Sequence, residues 1–192
     1  MYTYASATIT VPTPTALATG NAQYQAASAW VGIDGSNYTT AILQTGVDFY
    51  VLNGESWVDV WYEWYPNSSL DYDELLVSPG DVIVASVNET STSKAICVVK
   101  NLTTGESATQ VVMLQRVQRH YAEWIVEDFS TEGNAVDFVG FDNVSFEGCV
   151  AEDSVGRVYD TEGAIVYDLV INGVVVADAD VLDESSIFVT RL

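Results

Sequence analysis

The chain has 192 residues, 48% of them hydrophobic, with 6 Lys and Arg against 27 Asp and Glu and a formal net charge of −21 at neutral pH. Such a length and apolar content suit one well-cored domain spanning residues 1–192. The scarcity of cations excludes nucleic acid or an anionic membrane surface as a partner, and no segment approaches the roughly 18 apolar residues that would span a bilayer.

The predicted elements are almost all strands, because apolar residues recur with period two. In chain order they are Ala5–Val11, Ser28–Ile33, Ala41–Tyr50, Ser56–Tyr65, Asp81–Glu89, Ala95–Asn101, Ala108–Leu114, Tyr121–Phe129, a broken Val136–Val150, Ile165–Ile171 and Ser186–Leu192. Turn signals separate them at Asp34-Gly35, Asn53-Gly54, Ser78-Pro79-Gly80, Thr104-Gly105, Gly133-Asn134 and Asn172-Gly173. Gln110–Ala122 is the best helix candidate, but its β-branched start and aromatic end fit a strand better. Many turn-punctuated strands predict an all-β, antiparallel sandwich.

Charge is distributed unevenly along these strands. The first 93 residues contain no Lys, Arg or His but hold ten carboxylates. Near neutral pH those groups repel one another; in acid they are protonated, and the side chains would then sum to +7. A protein that works in acid is the economical reading, with a halophilic or merely acidic protein as the plainer one. Five Asn-x-Ser/Thr sequons, at Asn37, Asn67, Asn88, Asn101 and Asn143, favour a secreted, extracellular glycoprotein. No basic start followed by an apolar run opens the chain, so any secretory signal is expected to lie outside it. Cys97 and Cys149 permit one disulfide.

Most hydrolytic chemistry is missing. His120 is the only His, no His-Glu-x-x-His or Cys-rich zinc pattern occurs, and no Gly-x-Ser-x-Gly elbow or phosphate-cradling Gly-rich loop is present. His120 reads as a surface or strand-end residue. The Asp-Thr-Gly or Asp-Ser-Gly signature of carboxylate dyads is also absent. Asp71, Asp73 and Glu74 read as a solvated loop, with a calcium site as the alternative. A hydrolase built here would have to use carboxyl and amide groups.

Strand parity groups the candidates. Trp30, Gly32 and Asp34 share one face, as do Ile42, Gln44, Gly46 and Asp48. Trp57, Asp59, Trp61, Glu63 and Tyr65 form a third set, and Glu123, Ile125, Glu127 and Phe129 a fourth. If these strands are neighbours, Gln44, Glu63 and Glu127 converge on a surface walled by Trp and Tyr; otherwise they are solvated outer-face residues. A carboxyl among aromatic rings has its ionised form disfavoured.

The blocks Ser28–Gly35, Ala41–Asp48, Trp61–Pro66 and Ala122–Phe129 resemble the glutamic peptidases, or eqolisins, and Asn101–Gly105 is similar to a further segment of that family. The resemblance runs from about Ala5 to the C-terminus. It implies a secreted, acid-acting, pepstatin-insensitive endopeptidase with a lectin-like (concanavalin-type jelly-roll) sandwich of two seven-stranded sheets. It implies a catalytic dyad of Gln44 and Glu127, with Trp30, Asp34, Asp48, Trp61, Glu63, Tyr65 and Phe129 lining or supporting the cleft. Glu123 is the rival base, since it shares the face of Glu127. Protein or peptide substrates, a monomer, and no metal or cofactor follow. The family usually begins with an Asn-Trp-Gly-like strand near the cleft, and this sequence starts after that point, the segment being absent, removed or supplied separately. Ser130 stands where an acidic residue often follows the Phe, and the two cysteines are fewer than in several fungal relatives. The competing readings are a non-catalytic lectin-like glycan binder, which an aromatic and carboxylate surface would also suit, and an inactive relative.

Overall fold

The computed structural model describes residues 1–18, 23–91, 93–113, 117–131 and 134–192, and no helix occurs among them. In chain order the strands are β1 (Tyr2–Thr10), β2 (Tyr24–Ile33), β3 (Ile42–Leu52), β4 (Glu55–Tyr65), β5 (Leu70–Asp71) and β6 (Val82–Ser91). They continue as β7 (Lys94–Asn101), β8 (Ser107–Met113), β9 (Ala122–Glu127), β10 (Ser130–Thr131), β11 (Asn134–Ala135) and β12 (Asp137–Phe138). The last five are β13 (Asn143–Asp153), β14 (Val158–Tyr159), β15 (Leu169–Ile171), β16 (Val174–Asp183) and β17 (Ser186–Arg191).

Two sheets face each other. The larger has nine strands in the order β15-β16-β17-β13-β1-β6-β7-β8, with β14 beside β13. The smaller has six, in the order β12-β2-β3-β4-β5, with β9 also on β2; β10 and β11 form a separate pair. The division is therefore nine and six rather than seven and seven. Pairing is antiparallel, except that β12 meets β2 in parallel over two residue pairs.

Alternation fills the space between the sheets. Ala7 and Ile9 of β1, Ile83 and Ala85 of β6, and Phe146 of β13 meet Ala27, Ala29 and Val31 of β2 and Val47 and Phe49 of β3. Phe49 lies edge-on to Phe141 with ring centres 5.3 Å apart, a favoured geometry for two aromatic quadrupoles. A second cluster at one end joins Ala5, Val87 and Cys97 to Ile33, Leu43 and Trp64. With odd-numbered side chains of β2 and β3 taken by the core, their even-numbered ones must face outward.

Several expectations are corrected. Val174–Asp183 is a ten-residue strand that periodicity did not mark, because Ala177, Asp178, Ala179 and Asp180 have low intrinsic strand preference. Conversely, only Leu169–Ile171 of the expected Ile165–Ile171 is strand. β9 ends at Glu127, two residues short of the expected Phe129. The ends of the expected elements at Leu114 and the turn residue Gly133 lie outside the described residues. Asn53-Gly54 and Asn172-Gly173 both take positive φ at two successive positions, the conformation a two-residue hairpin turn requires. They join β3 to β4 and β15 to β16. Cys97 and Cys149 are both buried as free thiols, so no disulfide joins them.

Candidate active site

The outward face of the small sheet is organised in cross-strand rows. Glu123, Gly32, Gln44 and Glu63 form one row across β9, β2, β3 and β4. The next is Ile125, Trp30, Gly46 and Trp61, and the third is Glu127, Ser28, Asp48 and Asp59. Two rows rich in acid thus flank a row containing two tryptophans. Tyr65 pairs with Ile42 just beyond the first row, and Tyr50 with Trp57 just beyond the third.

The two glycines explain how the tryptophans lie. A Cβ on Gly46 would stand 2.3 Å from the Ala29 carbonyl oxygen and 2.6 Å from Trp30 Cβ, and one on Gly32 would meet the Trp30 ring at 2.8 Å. Trp30 therefore lies down on the sheet over positions without side chains. Both indoles donate toward the third row: Trp30 Nε1–H to Glu127 Oε2 at 2.8 Å, and Trp61 Nε1–H to Asp48 Oδ1 at 2.6 Å. Ser28 Oγ–H also donates to Asp48 Oδ1, at 2.5 Å. Ser28 was not among the sequence candidates, although its parity with Trp30 could have found it.

Burial shapes the carboxyls. Asp48 is pushed up to about 7, chiefly by burial and further by the charges of Asp59 and Glu127, against the lowering effect of Ser28 and Trp61. Glu127 is raised by burial, held back by the Trp30 N–H and raised again by Asp128. Glu63 is raised by burial and by the charge of Glu127, while its bond from the Gln44 amide pulls it down. Gln44 is buried; its Nε2–H donates to Glu63 Oε2, and its Oε1 accepts no hydrogen bond among the described residues. Gln44 and Glu127 thus face the same side of the same sheet, two rows apart, with Trp30 between them.

Glu123 has a different neighbourhood. Its Oε1 accepts the Ser36 N–H at 2.8 Å, its other oxygen lies against Gly35, and burial with the charge of Asp34 takes it to about 7. Asp34 itself leaves the open face, with φ at 63° just past the end of β2. Fully buried, it accepts the N–H groups of Gln118 and Arg119 on Oδ2 at 2.7 and 2.8 Å and that of His120 on Oδ1 at 2.8 Å. It anchors the approach to β9 instead of lining the cleft. Phe129 is half-buried beyond the end of β9, and Tyr65 is exposed. His120 is exposed, two residues before β9.

Among the described residues, no group of three or more His, Cys, Asp or Glu is arranged to hold a metal ion. The sequons also separate: Asn37, Asn67, Asn88 and Asn143 are exposed, but Asn101 is fully buried. Its amide donates to Leu76 O and Asp81 Oδ2, and its Oδ1 accepts from Thr103 and Thr104 N–H.

The Peptidase A4 family profile matches residues 1–191. Aspergillopepsin-2 of Aspergillus niger is 37% identical over 202 residues, covering 96% of this chain and 71% of that protein. Scytalidopepsin B of Scytalidium lignicola is 38% identical over 184 residues, covering 93% and 67%. A crystal structure of scytalido-glutamic peptidase with a peptide-based transition-state analogue superposes with a TM-score of 0.87 at 33% identity, covering 100% of this chain and 93% of that one. The chain therefore belongs to the Peptidase A4 family, the glutamic peptidases or eqolisins, and is an endopeptidase of that kind.

Proposed function

We propose that this peptidase hydrolyses peptide bonds of proteins in acid, outside the cell, with Glu127 and Gln44 as its catalytic pair. The observation that carries the reading is the disposition of these two groups: one outward face, a carboxyl raised by burial, and an amide with functionality to spare. A carboxamide has two N–H donors. One is engaged by Glu63, leaving the second for a developing oxyanion and Oε1 to accept a proton of the attacking water. Such a donor is worth about 10²–10³ in rate.

Glu127 supplies the proton chemistry. Ionised, it takes a proton from water as that water attacks the carbonyl; protonated, it gives the proton to the departing amine nitrogen. Its raised affinity for protons suits both halves of that cycle in acid, and the Trp30 N–H keeps one oxygen oriented. Glu123 is less suited, because one oxygen is tied to the Ser36 backbone and the other packs on Gly35. The solved relative holding a peptide-based transition-state analogue supports a peptide substrate. The sequon excess and the acidic composition support an extracellular, acidic setting. Trp30, Trp61, Glu63 and Tyr65 would contact the substrate or the catalytic pair, with Asp48 and Asp34 holding them in place and Phe129 at the margin.

The test is cleavage of a denatured protein at about pH 3. Glu127→Gln should lower kcat by about 10³ or more, and Gln44→Ala by about 10²–10³, each with an unchanged circular dichroism spectrum. Full activity in either variant rejects the pair. Activity should also persist in pepstatin and in a metal chelator; its loss in the chelator would mean a metal site takes part.

A further inference from the structure

The outward face of the small sheet continues past its third row. After Asp48 and Asp59 the next pair on that face is Tyr50 and Trp57, followed by Tyr24 and Leu52. Trp57 is 49% exposed and Leu52 40%, so two large apolar side chains meet solvent in adjoining rows. Tyr24 and Tyr50 are half-buried and pack edge to face, their ring centres 5.7 Å apart at 63°. The Tyr50 hydroxyl donates to Asp59 Oδ2 at 2.9 Å, which fixes that ring beside the acid row. The patch lies at the end of the sheet away from Tyr2, whose N–H donates to Arg119 O ahead of β9.

Scattered exposed aromatics are ordinary, and a Tyr–Trp pair across two strands also stabilises a hairpin. This patch differs in being continuous with the catalytic face. Same-side neighbours along a strand lie ~7 Å apart. Two such steps, or ~14 Å, separate the Trp30 row, which lies between Gln44 and Glu127, from Tyr50 and Trp57. An extended substrate advances ~3.3 Å per residue, so a chain held at the catalytic pair meets the patch with about its fourth residue, or its fifth on crossing to β4. Rings already held in place offer apolar surface at little ordering cost. Glu55 and Asp59 flank the patch and disfavour an acidic residue there.

We propose that Tyr50 and Trp57, with Tyr24 and Leu52, form a distal substrate subsite that takes a large apolar side chain, aromatic above all, about four or five residues from the cleaved bond. The assignment rests on the catalytic pair of Gln44 and Glu127, from which that distance is counted. The subsite favours long substrates, because it gathers binding energy away from the reacting bond.

The experiment is cleavage of a mixed-sequence peptide library at about pH 3, with every new terminus sequenced by mass spectrometry. Phe, Tyr, Trp and Leu should be enriched at about the fourth or fifth position on one side of the cleaved bond. Trp57→Thr and Tyr50→Thr, which keep strand-favouring residues in the ladder, should abolish that enrichment while the preference next to the bond persists. Two synthetic peptides copied from a cleaved sequence, with Phe or Gly at that position, should differ about tenfold in kcat/KM with the parent enzyme and about twofold or less with Trp57→Thr. A profile without apolar preference at this distance overturns the proposal. So does an enrichment that both variants retain, since a role confined to hairpin stability lowers the melting temperature and leaves the profile alone. Failure of the catalytic pair reads differently: Glu127→Gln and Gln44→Ala would then stay active, whatever the profile.

Discussion

Asp48 has the most informative carboxyl on the open face. Oδ1 accepts from both Ser28 and Trp61, so Oδ2 is left to carry a proton, and burial takes the group to about 7. Its sign in a stability argument is the reverse of a salt-bridged carboxylate. The fold binds this proton more tightly than the unfolded chain does, so stability is greatest below about pH 4 and declines as pH rises toward 7. Moving the group from 3.8 to about 7 corresponds to a cost on the order of 4 kcal/mol when ionisation is complete. Asp48→Asn should therefore raise the urea midpoint near neutral pH and leave it unchanged in acid. A midpoint shift that is the same at both pH values would show that packing, not ionisation, is at stake. Asp34 acts by another route: its three accepted N–H groups hold residues 118–120. Asp34→Ala strips those amides of their acceptor, and should slow proteolysis through misplacement of β9 without moving the pH optimum.

At the scale of elements, close contact between strands decides which residues are tolerated. Gly46 faces Trp30 across the β2–β3 ladder, and a methyl there collides with the Ala29 backbone. Gly46→Ala should destabilise the fold by about 1–3 kcal/mol or more, because the obstruction is backbone and cannot rotate away. Thermal unfolding measures it; an unchanged midpoint would mean the ladder opens freely at this point. Asn101 closes the connection between β7 and β8 and ties it to the turn before β6. Asn101→Ala leaves buried partners unsatisfied and should cost about 2–3 kcal/mol or more. When the protein is expressed through a eukaryotic secretory pathway, mass spectrometry should find glycans at no more than the four exposed sequons. A glycan on Asn101 would require that turn to open.

For the whole molecule, acid is where the charge pattern is least damaging. Glu123, also near 7, adds to the decline in stability between about pH 4.5 and 7. Asp153, buried at the end of β13, and Asp183, exposed at the end of β16, are held below their ordinary range chiefly by backbone N–H groups and act in the opposite direction. The net expectation is a unfolding midpoint that falls from about pH 4 to 7; a rise over that interval would contradict it. The thiols do not contribute a crosslink, and burial takes both to about 12. Reductant should leave the melting temperature unchanged.

Alternation is a local property, so the chain's own order of residues was enough to assign Gln44, Glu63, Trp61 and Glu127 to faces, to mark the Asn-Gly hairpins, and to identify the family. Asp34 shows where parity stops being informative: one positive φ takes it off the strand, and its three partners lie more than 80 residues away. Asn101 reads as a sequon by spacing and becomes a buried turn anchor only through Leu76 and Asp81. The rows, the coupling of Glu127 to Asp48 and Glu63, and the aromatic patch at Tyr50 and Trp57 likewise depend on strand order and register. Those are set by packing between segments distant in sequence, and only the tertiary structure decides them.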